Sequence, residues 1–306
     1  MADVMYENCT LCPRKCGVNR TKGERGICGL GDGIVAARAA LHMWEEPVLS
    51  GTEGSGAVFF SGCSMHCLYC QNYEISGFAP AGREISVERL AEIFTELEGK
   101  GANNINLVTG THFIPSIRDA LVLAKNRGLS IPVVYNTSGY ESAESLKLLS
   151  GLVDIYLPDF KYLYKETAAS LSKAADYPEV VKEAIAEMYA QVGNPQFDER
   201  GMMKRGVIVR HLVLPGHTKE AMAILDYLYE TYGDCIYISI MNQYTPFPGR
   251  LEAVNAPDEL KRRVTKREYA RVIDHALSIG IKNGFTQEGK AASESFIPSF
   301  KECEGV

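Results

Sequence analysis

The 306-residue chain has no excess of basic charge: 32 Lys and Arg stand against 38 Asp and Glu, a formal net charge of −6. That argues against a general nucleic-acid binder, which neutralises phosphates with clustered cations. The one basic run, Lys261, Arg262, Arg263, Lys266, Arg267 and Arg271, reads as the solvated face of a helix. No stretch approaches the roughly 18 uninterrupted apolar residues of a membrane helix. The opening Met1-Ala2-Asp3-Val4-Met5-Tyr6-Glu7 lacks the basic and apolar segments of a secretory leader, so a cytoplasmic location without membrane contact is expected. Internal repeats and low-complexity stretches are absent too. With 23% charged and 46% hydrophobic residues, neither a disordered chain nor a disulfide-dense scaffold fits, and a sizeable core can form.

What the chain does have is nine cysteines, seven of them in its first quarter. In a reducing compartment these are ligands or core residues rather than disulfides. They form two groups, Cys9, Cys12, Cys16 and Cys28, then Cys63, Cys67 and Cys70. Cys235 opens the apolar run to Ile240 and reads as a small buried hydrophobe. Cys303 carries no assignable role.

From Ala57 onward, short β-rich runs alternate with amphipathic segments. Strands are predicted at Ala57 to Ser61, Ile105 to Val108, Ile131 to Tyr135, Val153 to Leu157, Val207 to Leu214 and Cys235 to Ile240. Helices are predicted at Ser86 to Leu97, Ile114 to Lys125, Ser142 to Leu149, Pro178 to Ala190, Lys219 to Tyr232 and Lys266 to Ser278. Strict alternation implies a parallel sheet, because parallel neighbours need a crossover. An open doubly wound sheet and a full or partial TIM-type barrel both satisfy it, and both put functional residues after the strands' carboxyl ends. Polar and Gly-rich segments collect there: Gly62-Cys63, Thr109-Gly110-Thr111-His112, Asn136-Thr137-Ser138-Gly139, Asp159-Phe160-Lys161, Pro215-Gly216-His217 and Asn242-Gln243. Residues 1–55 read as a Cys-rich metal-binding module and 56–306 as the α/β domain with a C-terminal extension. The stretch from Gly51 to Gly56 lacks a following Gly-Lys-Ser/Thr and reads as a turn rather than a phosphate loop.

The segment Ser61-Gly62-Cys63-Ser64-Met65-His66-Cys67-Leu68-Tyr69-Cys70-Gln71-Asn72 puts three thiols within eight residues directly after a strand. A four-iron cubane wants four ligands, so three would leave one iron open for chemistry. A zinc site with His66 or a distant fourth ligand is the competing reading. The spacing Cys-x3-Cys-x2-Cys after a first strand resembles the signature of the radical S-adenosylmethionine (SAM) enzymes. The chain most resembles the branch related to pyruvate formate-lyase activating enzymes, from Cys9-Thr-Leu-Cys-Pro through Ser239-Ile-Met-Asn-Gln-Tyr-Thr-Pro to Glu294-Ser-Phe-Ile-Pro.

That resemblance implies a partial (β/α)6 TIM-type barrel with a small N-terminal Cys-rich module. It implies a [4Fe–4S] cluster on Cys63, Cys67 and Cys70, with SAM at the open iron, and a 5′-deoxyadenosyl radical that takes hydrogen from a substrate. An electron donor such as a flavodoxin or ferredoxin is implied, and a glycyl radical protein as partner, with a small molecule or peptide as the alternative substrate. By the same resemblance Tyr69 packs on adenine, Asn72 matches the activases' Cys-x-Asn, and Thr109, Gly110 and Thr111 replace the Gly-Gly-Glu-Pro support of the SAM amino group. Asn136, Thr137 and Ser138 match the segment after the third strand and Asp159 the one after the fourth. Lys161 would pair with the SAM carboxylate and Arg210 would lie near SAM. The family's monovalent cation site is altered, since Asn136 replaces an aspartate. His211 and His217 read as packed or solvated neighbours of Arg210. Gln243, Tyr244 and the segment from Glu294 to Ile297 either line a substrate pocket or are structural.

Cys9-x2-Cys12-x3-Cys16-x11-Cys28 supplies four thiols interleaved with Pro13, Gly17, Gly23, Gly26 and Gly29. Four close a coordination sphere, which suits structural zinc or a fully ligated second iron–sulfur cluster. A non-catalytic two-centre metal or electron carrier is the rival from another class.

Overall fold

The computed structural model describes residues 2–77, 80–287, 298–300 and 302–306. Its strands are β1 (Ile34–His42), β2 (Ser55–Phe60), β3 (Arg83–Ile85), β4 (Ile105–Val108), β5 (Val133–Thr137), β6 (Ile155–Pro158), β7 (Gln196–Phe197), β8 (Met203–Leu212), β9 (Tyr237–Met241) and β10 (Gly284–Thr286). They lie in the order β10-β9-β8-β6-β5-β4-β2-β1-β3, with β7 paired to β8 off that path. From β2 to β10 every link is parallel. The sheet is open at β10 and β3, as a partial barrel requires.

The six expected strands are all present. The fifth starts earlier, at Met203, because Lys204 and Arg205 hide its edge in the hydropathy pattern; Arg205 donates to the carbonyls of Gln191 and Val192, each at 2.8 Å. The last starts later, at Tyr237, and Cys235 closes a 3₁₀ turn, half-buried instead of in the strand. Four strands escaped the sequence reading, among them the two-residue β7. β3 and β10 have only three residues each, and β1, Ile-Val-Ala-Ala-Arg-Ala-Ala-Leu-His, is alanine-rich and lacks β-branched residues after Val35. β1 lies within the stretch assigned to the Cys-rich module, yet it pairs antiparallel with β2 and β3.

The helices follow their predicted signals. Ser86 caps Val87–Gly99, accepting from the Arg89 amide at 3.1 Å, and Leu90, Ala91, Ile93, Phe94 and Leu97 form its buried stripe. Ile114–Asn126, Ala143–Lys147, Tyr177–Val192, Thr218–Tyr232 and Lys266–Ser278 provide the other crossovers, and Lys165–Ser172 is an additional helix. The last crossover carries a capping box between Thr265 and Glu268. In the basic run ahead of it, Lys261 pairs with Asp258 at 2.6 Å and Arg262 with Glu268 at 2.7 Å. Among the described residues no helix is long and apolar enough to cross a membrane.

β2 is buried at every position because helices cover one face and the lumen the other. The lumen is plugged from below by residues 44–50. Leu49 packs there with Val134, Ile155, Leu157, Met203 and Ile208, a burial that stabilises by about 2 kcal/mol. Asn104 Nδ2 donates to Leu49 O and Asn103 Nδ2 to Ser50 O, each at 2.8 Å. At the sheet's outer side the chain end lies along β1: Ala39 N donates to Glu304 O at 2.7 Å.

Candidate functional site

The three-cysteine loop leaves β2 through Gly62, which has φ +83° and whose Cβ, if it had one, would lie 2.7 Å from Cys28 O. Only glycine fits that turn. Cys63 Sγ accepts from the Met65 amide at 3.4 Å and Cys70 Sγ from the Ser76 hydroxyl at 3.3 Å. Burial, then the neighbouring Cys67 and Cys70, push the Cys63 thiol up to about 12. Burial and Cys67 likewise raise Cys70. Thiols that hinder one another's ionisation ionise readily only when a metal charge is added, because the thiolate is the ligand form. His66 Nε2 is engaged with the Ile27 carbonyl at 2.6 Å, so that nitrogen is not free to be a fourth ligand. Among the described residues no set of three His, Cys, Asp or Glu side chains is already arranged as a metal cage; the fit to iron rests on the donor set, three thiols with no fourth.

The loop roofs a cavity of about 420 Å³ that runs down into the lumen. Cys63, Cys67, Tyr69, Cys70 and Asn72 line it from above; Thr109, Asn136, Thr137, Ser138, Asp159, Lys161 and Arg210 line it from the strand ends. The sequence reading thus converges on one place for all its barrel candidates except Gly110 and Thr111. Those two turn away, since Thr111–Phe113 is a 3₁₀ turn leading into the next helix, and Gly110 lies against Ile117, Tyr135 and Phe60. Thr109 itself sits at φ +62°, a strained position for a β-branched residue that costs about 1–3 kcal/mol. Its amide donates to Asn136 O at 2.9 Å.

Charge is balanced tightly on this wall. Asp159 is 2.5 Å from Lys161 Nζ through Oδ2 and 3.1 Å from Arg210 Nε through Oδ1. Burial would raise the Asp159 carboxyl, but the two cations more than offset it and it titrates below the usual range. Burial would depress Lys161, and Asp159 reverses that. Arg210 also donates to Asn136 Oδ1 at 2.6 Å and to Glu45 Oε2 at 3.1 Å. Glu45 accepts from Asn106 and Asn136 as well, at 3.0 and 3.3 Å. Tyr177 ties the rim together: its hydroxyl lies 2.8 Å from both Ser138 O and Asp159 O and 2.9 Å from Lys161 N. A Cβ on Gly139, at φ +78°, would collide with Asp159 O.

Glu45, Glu46 and Glu141 were not singled out from the sequence. The first two stand in Trp44-Glu45-Glu46-Pro47, which has no periodicity to mark it; a pair of adjacent acids before a proline was the only signal. Glu141 is 2% exposed and accepts from the Thr111 hydroxyl at 2.6 Å, from Thr137, and from Tyr135 at 3.4 Å. Burial raises its carboxyl to about 7, against the pull of those hydroxyls. Of the remaining candidates, Gln243 lines the cavity, whereas Tyr244 is buried with its hydroxyl on Leu260 O at 2.6 Å. His211 donates from Nδ1 to Phe160 O at 2.7 Å, and burial lowers its pKa. His217 stands beside Glu220 at 3.5 Å. The segment from Glu294 to Ile297 lies outside the described residues.

The four N-terminal cysteines also come together. Cys12 and Cys28 are each raised first by burial and then by neighbouring cysteines of the group, Cys12 to about 12. Cys16 Sγ and Cys28 Sγ lie 3.2 and 3.4 Å from where a Gly26 Cβ would be. Beside them is Arg20, fully buried. It donates to Gly31 O and to His112 O, the latter at 2.6 Å, lies 3.8 Å from Cys9 Sγ, and stacks on Tyr6 with 4.4 Å to the ring centroid. These partners are carbonyls, a thiol and a ring. A buried guanidinium wants an anion, and ionised thiols on a metal would provide it.

Comparison with known proteins accords with this geometry. The chain is 29% identical over 286 residues to an uncharacterized protein of Methanocaldococcus jannaschii, covering 90% of this chain and 76% of that one. A second uncharacterized protein of that organism is 28% identical over 157 residues, 46% of each chain. Among solved structures, Streptococcus suis SuiB bound to the precursor peptide SuiA gives a TM-score of 0.52 at 12% identity, over 75% of this chain and 47% of that one. SuiB bound to S-adenosylmethionine gives 0.51 at 12% identity, over 78% and 51%. HydG, a maturase of the [FeFe]-hydrogenase, gives 0.50 at 16%, over 79% and 53%. The chain spans about half the length of these solved structures, and the likeness is one of fold. The radical SAM superfamily model matches residues 57–228, more than half of the chain, and its match begins on β2, the strand that delivers the three-cysteine loop to the cavity; the chain belongs to the radical SAM superfamily.

Proposed function

We propose that the chain is a SAM-cleaving enzyme in which Cys63, Cys67 and Cys70 hold a [4Fe–4S] cluster and SAM occupies the cavity beside it. The observation that carries this reading is that three crowded thiols and a buried, charge-balanced wall face one cavity. When bound, the cluster supplies the electron that splits SAM into methionine and a 5′-deoxyadenosyl radical, which takes hydrogen from the substrate.

The chain's own residues bind, orient and exclude water. Lys161, held charged by Asp159, is the partner for the SAM carboxylate, since a desolvated anion needs one. The Thr109 rim serves the SAM amino group, with Thr111 acting behind it through Glu141. Tyr69, buried and accepting from the Tyr162 hydroxyl at 2.7 Å, is a fixed wall for adenine, and Asn72 adjoins it. The Arg210 guanidinium, engaged with Asn136 Oδ1, supplies positive charge at the altered site where the activases hold a monovalent cation. Cys9, Cys12, Cys16 and Cys28 hold a second iron–sulfur cluster or zinc, and a flavodoxin or ferredoxin delivers electrons.

For the substrate, the charged lumen floor favours a small molecule or peptide that enters the cavity. The activating-enzyme reading, with a glycyl residue of a partner protein as hydrogen donor, rests on the motif resemblance. The test is the EPR spectrum of anaerobically reconstituted, dithionite-reduced protein with and without SAM. A cubane signal that shifts with SAM is expected. Confirmed iron loading without any SAM-sensitive signal would favour the metal or electron carrier instead.

A further inference from the structure

Among the described residues three carboxylates line the cavity, Glu45, Glu46 and Asp159, and two of them have cationic partners. Asp159 is held by Lys161 and Arg210, and Glu45 by Arg210. Glu46 is the odd one. It is 8% exposed, and its Oε2 has no hydrogen-bond partner among the described residues. Neither cation of the wall is free to serve it. Arg210 spends Nε, Nη1 and Nη2 on Asp159, Glu45 and Asn136, and Lys161 lies on Asp159. A second unpartnered buried acceptor, Asn106 Oδ1, belongs to the residue whose Nδ2 bonds Glu45. Among the described residues, with all five groups ionised, this floor carries one uncompensated negative charge. A buried carboxylate left so is costly unless a cation with N–H groups joins it.

We propose that Glu46 anchors a primary ammonium group of the substrate at the lumen floor. An ammonium fits better than a guanidinium, whose planar fork wants both carboxylate oxygens; here one oxygen, the buried Oε2, is the atom without a donor. Burial raises the Glu46 carboxyl against the distant pull of Arg210, as befits an acid awaiting its counter-charge. The inference rests on the reading that SAM and substrate share this cavity, with the SAM amino group at the Thr109 rim and not at Glu46.

The test is calorimetric titration of anaerobic, cluster-loaded, SAM-saturated enzyme with n-butylamine and with N-acetyl-lysine amide, against n-butanol and potassium chloride. Both amines should bind and both controls should not. Glu46→Gln should weaken amine binding about tenfold or more, the size of one charge-assisted hydrogen bond, and Glu46→Asp less. Affinity for SAM, titrated separately, should stay within about twofold in both variants. Tighter binding of the lysine derivative would assign the amine to a peptide, and the reverse to a free small molecule. Equal amine binding in wild type and Glu46→Gln overturns the proposal, as does potassium binding at the same site. A parallel loss of SAM affinity overturns it too, by giving Glu46 to SAM. Failure of the enzyme reading itself shows separately, as a wild-type cluster whose EPR signal ignores SAM.

Discussion

Glu141 offers a prediction whose sign and size both follow from its surroundings. Its carboxyl is raised from 4.5 to about 7 by burial. The folded protein therefore keeps a proton that the unfolded chain gives up above about pH 4.5. Stability from this group is greatest below 4.5 and declines as the pH rises through 7. At ~1.4 kcal/mol per pH unit, the cost above neutrality is about 3 kcal/mol. Glu141→Gln removes it without breaking a contact. Thr111 and Thr137 both donate to Oε1, which Gln keeps, and the new amide can donate to the Tyr135 hydroxyl beside Oε2. The variant should match wild type near pH 5 and exceed it at pH 8, by about 6 °C in midpoint for a chain of this size. The assay is thermal unfolding of cluster-loaded protein, anaerobically, at several pH values. Identical pH dependence in the two proteins, or a variant weaker than wild type at pH 8, would refute the reasoning.

Three further outcomes are expected. Cys63→Ala should lose the SAM-sensitive EPR signal while metal analysis still finds the N-terminal centre loaded; retained SAM cleavage would overturn the site assignment. Asp159→Asn leaves Lys161 and Arg210 buried without their shared carboxylate, so it should destabilise by about 3–5 kcal/mol and weaken SAM binding. A loss below about 1 kcal/mol in urea unfolding would show the wall to be solvated after all. Arg20→Met strips donors from Gly31 O and His112 O and should cost about 3 kcal/mol, with faster proteolysis near the N-terminus; unchanged cleavage there would contradict its bracing role.

Much of the site was legible because motif and strand end coincide. Cys63, Asn136 and Asp159 each fall at or just beyond the carboxyl end of a buried apolar run, so period and position announced them together, whereas Arg210 lies within β8 and was reached only through the family resemblance. Thr111 misled for a local reason, since the 3₁₀ turn at Thr111–Phe113 rotates it off the rim onto Glu141. Glu45 and Glu46 were invisible because their placement depends on β1 pairing antiparallel with β2 and then feeding a plug into the lumen. No local pattern encodes an entry from below. Val48 and Leu49 are the plug's apolar anchors, and two apolar residues beside a Gly-rich stretch make no period.

The two cysteine groups, 35 positions apart between Cys28 and Cys63, form one mechanical unit in the fold. Cys28 O presses on Gly62, and Ile27 O holds His66. Arg14 Nε donates to Ser64 O at 2.9 Å, and its guanidinium also reaches the carbonyls of Ser172 and Lys173. Arg20 holds His112 O after β4, while Ser145 Oγ donates to Leu11 O at 2.7 Å. The N-terminal segment therefore grips the loop after β2, the turn after β4 and the helix after β5. Short and glycine-rich, this cysteine segment has a small apolar cluster of its own, Tyr6, Cys9 and Leu11, and sends Cys28 and Leu30 into the main core; on the proposed reading a metal cross-links the rest. On the proposed reading, metal at the four-cysteine centre is thus what holds the three-cysteine loop in register with the strand ends. Arg20 links the two conditions, because the guanidinium that braces the rim is also the one that needs ionised thiols beside it.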